Sequence, residues 1–252
     1  MKSPIRTPIN FKSAAELKKI IPYNSTVSSF FLYGGDLELS LAAAGRGIIA
    51  HTNKHVVYEF WSTLKKDKNK IIAAVESFYP QIDAVLFHYL QESWAQFGDP
   101  YTRAAFFFIL NRCSKCGQVS VGELDKKNFN IIALNYLKLF EGDNFYPVLD
   151  ARENALEALV TAKQTDFILL PVGDFSFNLF EYGKSRGYEM TSVNHRQLHQ
   201  RVKELDKKWI MIYRPHPRLF EMYKAYNITM IDQYGRPCDK KDNCEELLIA
   251  NF

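Results

Sequence analysis

Long apolar runs are missing from this sequence. The longest, Ala104 to Leu110, spans seven residues, far short of the ~20 that a membrane crossing requires. Cysteine is scarce: four thiols in 252 residues are too few for a disulfide scaffold, and a reducing interior is the default. The lysine and arginine near Met1 lead into no apolar stretch, so no secretory signal is read there. A soluble, cytoplasmic protein with no membrane partner is the expectation. Glycine (12) and proline (10) stand at ordinary levels, which excludes collagen-like and low-complexity chains. Neither sign of charge dominates. A net +4 is compatible with a nucleic-acid ligand and equally with many enzymes.

What the chain has in abundance is apolar bulk. Hydrophobic residues make up 47% and aromatics 14%, with nineteen Phe and fourteen Tyr, enough to offset the entropy of ordering and exclude a disordered chain. Ser13 to Ile21 has helical spacing and is broken by Pro22, Asn24 and Ser25. Val27 to Tyr33 is nearly continuous in apolar and small residues, as a buried parallel strand is. Gly34-Gly35 turns the chain into a helix from Leu37 to Ala44, and Ile48-Ile49-Ala50 begins a second strand. Strand, glycine turn, helix and strand within about 25 residues is how a doubly wound sheet opens.

Helical spacing then takes over, from Val56 to Leu64 and from Ile71 to about Asn111, before an irregular loop from Cys113 to Asn130. Ala155 to Ala162 reads as a helix and Asp166 to Leu170 as a buried strand ending at Pro171. Gln197 to Leu205 is an amphipathic helix, and Lys208 to Tyr213 a strand. A helix from Leu219 to Tyr226 follows, then strands Ile228 to Ile231 and Glu246 to Asn251 around a turn at Gly235-Arg236-Pro237. The predicted fold is α/β: a doubly wound, mostly parallel, Rossmann-like sheet with a closing antiparallel hairpin and a helical insertion. Residues 1–68 and 146–252 make the α/β domain, and 69–145 the inserted helical subdomain.

Several local phrases carry a family likeness. Asn194-His195-Arg196-Gln197-Leu198, Lys208 through Tyr213, and Glu245 through Phe252 together resemble the ending of the Dam-type DNA adenine methyltransferases. Arg103-Ala104-Ala105-Phe106 to Asn111-Arg112, with Gly117 and Phe129-Asn130, is similar to that family's helix and loop before the catalytic strand. The resemblance implies a methyltransferase sheet, an S-adenosylmethionine (AdoMet) turn after the first strand, and DNA recognition by the insertion. It also implies which positions hold ligands. Lys12, Phe31, Tyr33, Gly34, Gly35 and His51 stand at the family's cofactor positions, and Pro171, Val172, Gly173 and Asp174 at its catalytic motif.

The residues at those positions depart from the family's chemistry. Its catalytic motif is an aspartate or asparagine, two prolines and an aromatic: oxygen acceptors draw on the adenine amine, and the ring stacks on a base turned out of the duplex. Pro171 offers no side-chain acceptor, and Asp174 stands in the ring's place. Shifting the register to Asp174 and Phe175 moves the acceptor by three residues, roughly 10 Å along an extended chain. Tyr33 replaces the first glycine of the cofactor turn, where the backbone must approach without a Cβ, and its ring is expected to take AdoMet's space. Asp36 adds negative charge near the cofactor's carboxylate, and His51 replaces the acid that accepts from the ribose hydroxyls. Asn10-Phe11-Lys12-Ser13 keeps the family's lysine without the two glycines before it.

The sequence therefore leads to a catalytically degenerate adenine methyltransferase-like protein, a pseudoenzyme in which no catalytic residue and no cofactor are expected. Its role would be that of a module binding DNA or a protein partner such as an active methyltransferase subunit; AdoMet is the cofactor if the pocket is open. Two alternatives stand beside it: an active AdoMet-dependent DNA adenine methyltransferase with an atypical motif, and a structural or assembly protein. Arg103, Asn111, Arg112, Lys115, Arg214 and Arg218 are the candidate nucleic-acid contacts, the last two in a proline-stiffened loop able to grip phosphates. Cys113, Cys116, Cys238 and Cys244 could surround zinc, but the loose spacing of the second pair favours free thiols in two loops, and no metal is expected.

Overall fold

A computed structural model describes residues 2–7, 9–79, 81–150, 159, 165–175 and 193–252, with Cys116 in its backbone alone. The strands, in chain order, are β1 (Thr26–Ser29), β2 (Gly47–Thr52), β3 (Phe145–Leu149), β4 (Phe167–Gly173), β5 (Lys208–Tyr213), β6 (Asn227–Ile231) and β7 (Glu246–Ala250). They form one seven-stranded sheet in the order β3-β2-β1-β4-β5-β7-β6. The first five run parallel, and β7 lies antiparallel between β5 and β6. This is the doubly wound, Rossmann-like α/β sheet with a reversed closing hairpin that the apolar pattern predicts. Strand order reverses between β1 and β4, and in open α/β sheets ligands lie beyond the carboxyl ends of the strands at such a switch point.

The helices are α1 (Ala14–Ile20), α2 (Asp36–Ala42), α3 (His55–Lys66), α4 (Lys68–Phe78), α5 (Ala84–Ser93), α6 (Pro100–Cys113), α7 (Ile131–Lys138), α8 (His195–Lys203) and α9 (Pro217–Met222). Many start where a short polar side chain can satisfy the free amides of a first turn. Asp83, Asp99, Asn130 and Asn194 accept from the backbone of Leu86, Thr102, Ile132 and Gln197 respectively. The run from Ala104 to Leu110 belongs to α6, which is buried continuously from Ala104 to Cys113. A helix apolar all round has to sit at the centre of others, and α6 packs against α3, α4 and α5. One hydrophobic cluster runs from the sheet through Phe60 and Trp61 of α3 to Phe107 of α6; a second, around Leu170, Leu198, Trp209 and Tyr223, fills the opposite face.

Several elements differ from the sequence reading, among them α7, which it did not place. β3 is a strand the sequence did not announce, because Pro147 sits inside it and proline removes a ladder donor. It lies at the sheet's edge and pairs with β2 alone, where that loss is tolerated. β4 does not stop at Pro171 but continues to Gly173, opposite β5. The last β1 pair on its other side is Ser29 with Leu169, so Pro171 falls where β1 has left and no partner awaits its missing amide. β1 itself ends at Ser29, not Tyr33, since Phe31 adopts φ 65°, a left-handed conformation unusual and strained for a bulky residue. α9 stops at Met222, four residues before the expected end. The helix expected from Ala155 to Ala162 lies outside the described residues, Leu159 excepted.

Candidate functional site

At the switch point, the turn after β1 and the end of β4 enclose a cleft lined by Thr7, Ile9, Phe11, residues 31–38, Pro171, Val172 and Val193. Its volume is about 110 Å³, below the ~300–1,000 Å³ of small-molecule sites. The cofactor positions Phe31, Tyr33, Gly34 and Gly35 all line it; Lys12 and His51 do not. Lys12 points to solvent, and its backbone N–H donates to the carboxylate of Glu246 at 2.5 Å.

The turn is shaped by the protein's own side chains. Gly35 has φ 71°, and a Cβ there would lie 2.8 Å from the Trp61 ring. A Cβ on Gly34 would lie 2.7 Å from that of Thr7. Tyr33 lines the cleft, with its ring fixed by the protein's own groups. Its hydroxyl donates to the Gly117 carbonyl at 2.9 Å, its ring meets Phe107 edge-on at 6.4 Å, and its carbonyl accepts from Trp61 Nε1 at 2.9 Å. These partners lie on α6, on α3 and in the turn after α6, and Thr7 is what presses on the glycines.

Two carboxyls follow the glycines. Asp36 Oδ1 accepts from the Ser3 amide at 2.9 Å, and Glu38, fully inside, accepts from Ser29 Oγ at 2.7 Å. Burial raises both pKa values above the ordinary carboxyl range. For Glu38 the folded state therefore holds the proton more tightly than the unfolded one. Its contribution favours folding below its ordinary value of 4.5 and is lost as pH rises through the raised value. Glu38→Gln removes the ionisation and keeps an acceptor for Ser29. Its melting temperature should exceed that of the wild type at pH 8 and converge on it near pH 4, with each kcal/mol worth roughly 2–4 °C in a chain of this size. Melting curves that differ equally at every pH would refute this.

His51 ends β2 and is largely buried. Its Nδ1 is 2.9 Å from Asp150 Oδ2 beyond β3, and its ring stacks on Phe30 at 4.4 Å and 7°. Its Nε2 is buried without a hydrogen-bond partner among the described residues. The imidazole is thus held by protein groups on one nitrogen and shut in on the other.

Beyond β4, Gly173 turns with φ 80° and its carbonyl accepts from the Arg214 amide at 2.8 Å. Asp174 Oδ1 lies 3.3 Å from Arg214 Nη1. Phe175 sits between two imidazoles, His195 and His216, each 4.8 Å away. His195 Nδ1 is 3.1 Å from the Tyr213 hydroxyl. Pro171 and Val172 are buried within the strand, so the four positions of the catalytic motif present one carboxylate, and it is engaged by an arginine.

The six nucleic-acid candidates do not form one surface. Asn111 and Arg112 are buried, which corrects their expected role at DNA. Asn111 accepts from the Arg6 amide and donates to the carbonyls of Arg6 and Gly117. Arg112 donates to the carbonyls of Pro4 and Ser3, and burial pushes its pKa down to about 10. Arg103 is half-buried in a two-point pair with Glu59 and also donates to Phe97 and Gly98 carbonyls, fastening α6 to α3. Lys115, Arg214 and Arg218 stand at the surface. Cys113 is fully buried with its thiol pushed up to about 12, the opposite of what a thiolate ligand needs. Among the described residues no three His, Cys, Asp or Glu side chains surround a metal-sized centre.

Sequence reasoning missed Thr7, Glu38 and Asp150. Glu38 could have been found as a carboxyl between Leu37 and Leu39, three residues past Gly35. Asp150 was hidden with the strand that Pro147 obscured. No protein-family model matches the chain, and no curated protein matches it significantly.

AdoMet, which the family likeness implies, fits these residues poorly. The cleft is small, Thr7 covers the turn that has to be bare, and two desolvated carboxyls lie beneath it. The histidine at the ribose position has one nitrogen engaged and the other enclosed. No helix among the described residues is long and apolar enough to cross a membrane.

Proposed function

We propose that the chain is a catalytically silent relative of DNA adenine methyltransferases whose fold is retained as a DNA-binding module. The observation that carries this reading is the end of β4. Activating an adenine amine takes an unengaged oxygen acceptor beside a stacking ring; here the one carboxylate, Asp174, is paired with Arg214, and the neighbouring ring, Phe175, is wedged between histidines. The reversed β7 supports the family likeness, since the same closing hairpin is what that likeness implies. Charge supports the DNA part. Residues 193–218 contain seven Lys and Arg against two Asp and Glu, a net +5 in a chain whose total is +4.

Methyl transfer from radiolabelled AdoMet to adenine-containing duplex tests the first half, and robust turnover would overturn it in favour of an active enzyme. Binding to the same duplex over a salt series tests the second. Arg218→Ala should weaken binding for all sequences alike and lower the log–log salt slope by about 1, close to 0.9 for one phosphate no longer neutralised, with Arg214, paired to Asp174, adding less. A slope equal to that of the wild type would remove the loop from the interface, and no binding by the wild type would leave a protein partner as the module's ligand.

A further inference from the structure

The outward face of α7 departs from the pattern in which a surface helix turns polar residues to water. Its inner face carries Ala133, Leu134 and Leu137, all buried, and packs on α4. The outer face is apolar as well: Ile131 is 59% exposed, Ile132 55%, and Leu139, just past the last turn, 69%. Asn135 stands exposed among them. Ile131, Asn135 and Leu139 recur at every fourth position, which sets them about 6 Å apart along one stripe. Both ends of the stripe are fixed. Asn130 accepts from the amides of Ile132 and Ala133 at its start, and Lys68 Nζ donates to the carbonyls of Lys138 and Phe140 at 2.8 and 2.9 Å at its finish. Tyr79, partly exposed, extends the apolar surface beside the start of α7, its ring 5.0 Å from that of Phe129.

An exposed apolar patch with a polar rim marks a contact surface, and this one is symmetric about its midpoint. Asn135 is the centre, with an aliphatic side chain four positions to either side. Charge follows the same arrangement: exposed Lys127 precedes α7 and exposed Glu141 follows it. We propose that a second copy of this chain covers the face, the two α7 helices packing antiparallel about a two-fold axis at Asn135. Ile131 of each copy then meets Leu139 of the partner subunit, and the two Asn135 amides pair at the axis. A two-fold contact of this kind uses every pairing twice. It also sets Glu141 of each copy beside Lys127 of the partner subunit, and the negative end of each helix beside the positive start of the other. That complementarity is what selects a second copy over a foreign helix. Lys138, at the edge of the stripe, is already matched by Glu76 at 2.6 Å. The paired amides fix the register, as a lone asparagine does in a helical seam.

Sedimentation velocity of the full chain over a concentration series tests this, with neither AdoMet nor DNA present. The wild type should show a monomer–dimer equilibrium with a Kd on the order of 10 µM, weak because one helix face is a small interface. Leu139→Asp puts a carboxylate opposite Ile131 at both ends and should weaken the dimer about a hundredfold, tenfold for each symmetric contact. Its side chain is exposed, so the melting temperature at high dilution should stay that of the wild type. Charge reversal tests the register. Lys127→Glu alone and Glu141→Lys alone should each dimerise about tenfold more weakly than the wild type, since each brings like charges together twice. Mixed together, the two variants should associate as tightly as the wild type, because every charge then meets its opposite. A wild type that stays monomeric up to about 1 mM would overturn the proposal. So would a dimer indifferent to Leu139→Asp, or a mixture that associates no better than its components.

Discussion

Trp61→Ala is expected to cost about 3–5 kcal/mol, the range for emptying a buried large aromatic, and to lower the melting temperature by roughly 6–20 °C. The residue is fully buried. Its ring contacts Phe60 and Phe145 at 5.2 Å and Phe140 at 5.9 Å, so deletion opens a void that three rings cannot close without moving the sheet's edge. It also sets the turn after β1, donating to the Tyr33 carbonyl and lying against Gly35. Trp61→Phe separates the two roles: the packing largely remains and one hydrogen bond is removed, at a cost of about 1 kcal/mol. Chemical denaturation of both variants decides the matter. Equal costs would mean that the hydrogen bond dominates and the ring cluster contributes little.

Acid should destabilise the protein through His195. Burial pushes its pKa down to about 4 from an ordinary 6.5. The unfolded chain then takes up this proton before the folded one does, so stability is full above pH 6.5 and falls as pH drops toward 4. At 1.36 kcal/mol per unit the loss over that window is about 3 kcal/mol. Glu38, Asp36 and Glu246, whose pKa values burial raises, work in the opposite direction over the lower part of the same range. The quantity to measure is therefore the difference between the wild type and His195→Gln. That difference should shrink by about 3 kcal/mol between pH 7 and pH 4, and a constant difference would mean that the imidazole titrates normally.

Legibility in the sequence follows how local each cause is. β5 is legible to the residue because Lys208 to Tyr213 is an uninterrupted apolar run with a charge at its outer end. β7 and the reversed hairpin are also legible, since Gly235-Arg236-Pro237 marks the turn between two such runs. Where local and tertiary signals conflict, the reading fails. Pro147 argues against a strand by its own chemistry, and only its edge position, set by the other six strands, makes β3 possible. Tyr33 in a glycine turn reads as an obstruction, and its partners, Phe107 and the Gly117 carbonyl, lie more than 70 residues away where no local pattern points to them. Asn111 and Arg112 look like a polar end to an apolar helix. Their burial depends on a segment more than 100 residues away, a separation of 105 for Asn111 with Arg6, and no periodicity encodes that.

The Glu246 carboxylate grips the amides of Lys12 and Ser13 across 234 and 233 positions of sequence. On a ribosome elongating at ~5–20 residues per second, the two ends of this clasp emerge roughly 10–50 s apart. Until Glu246 appears, the amides of Lys12 and Ser13 lack this acceptor, and β5 has no neighbour on its outer side. The clasp therefore closes only after every residue between Ser13 and Glu246 has been made, and the outer edge of β5 stays open to mispairing until then.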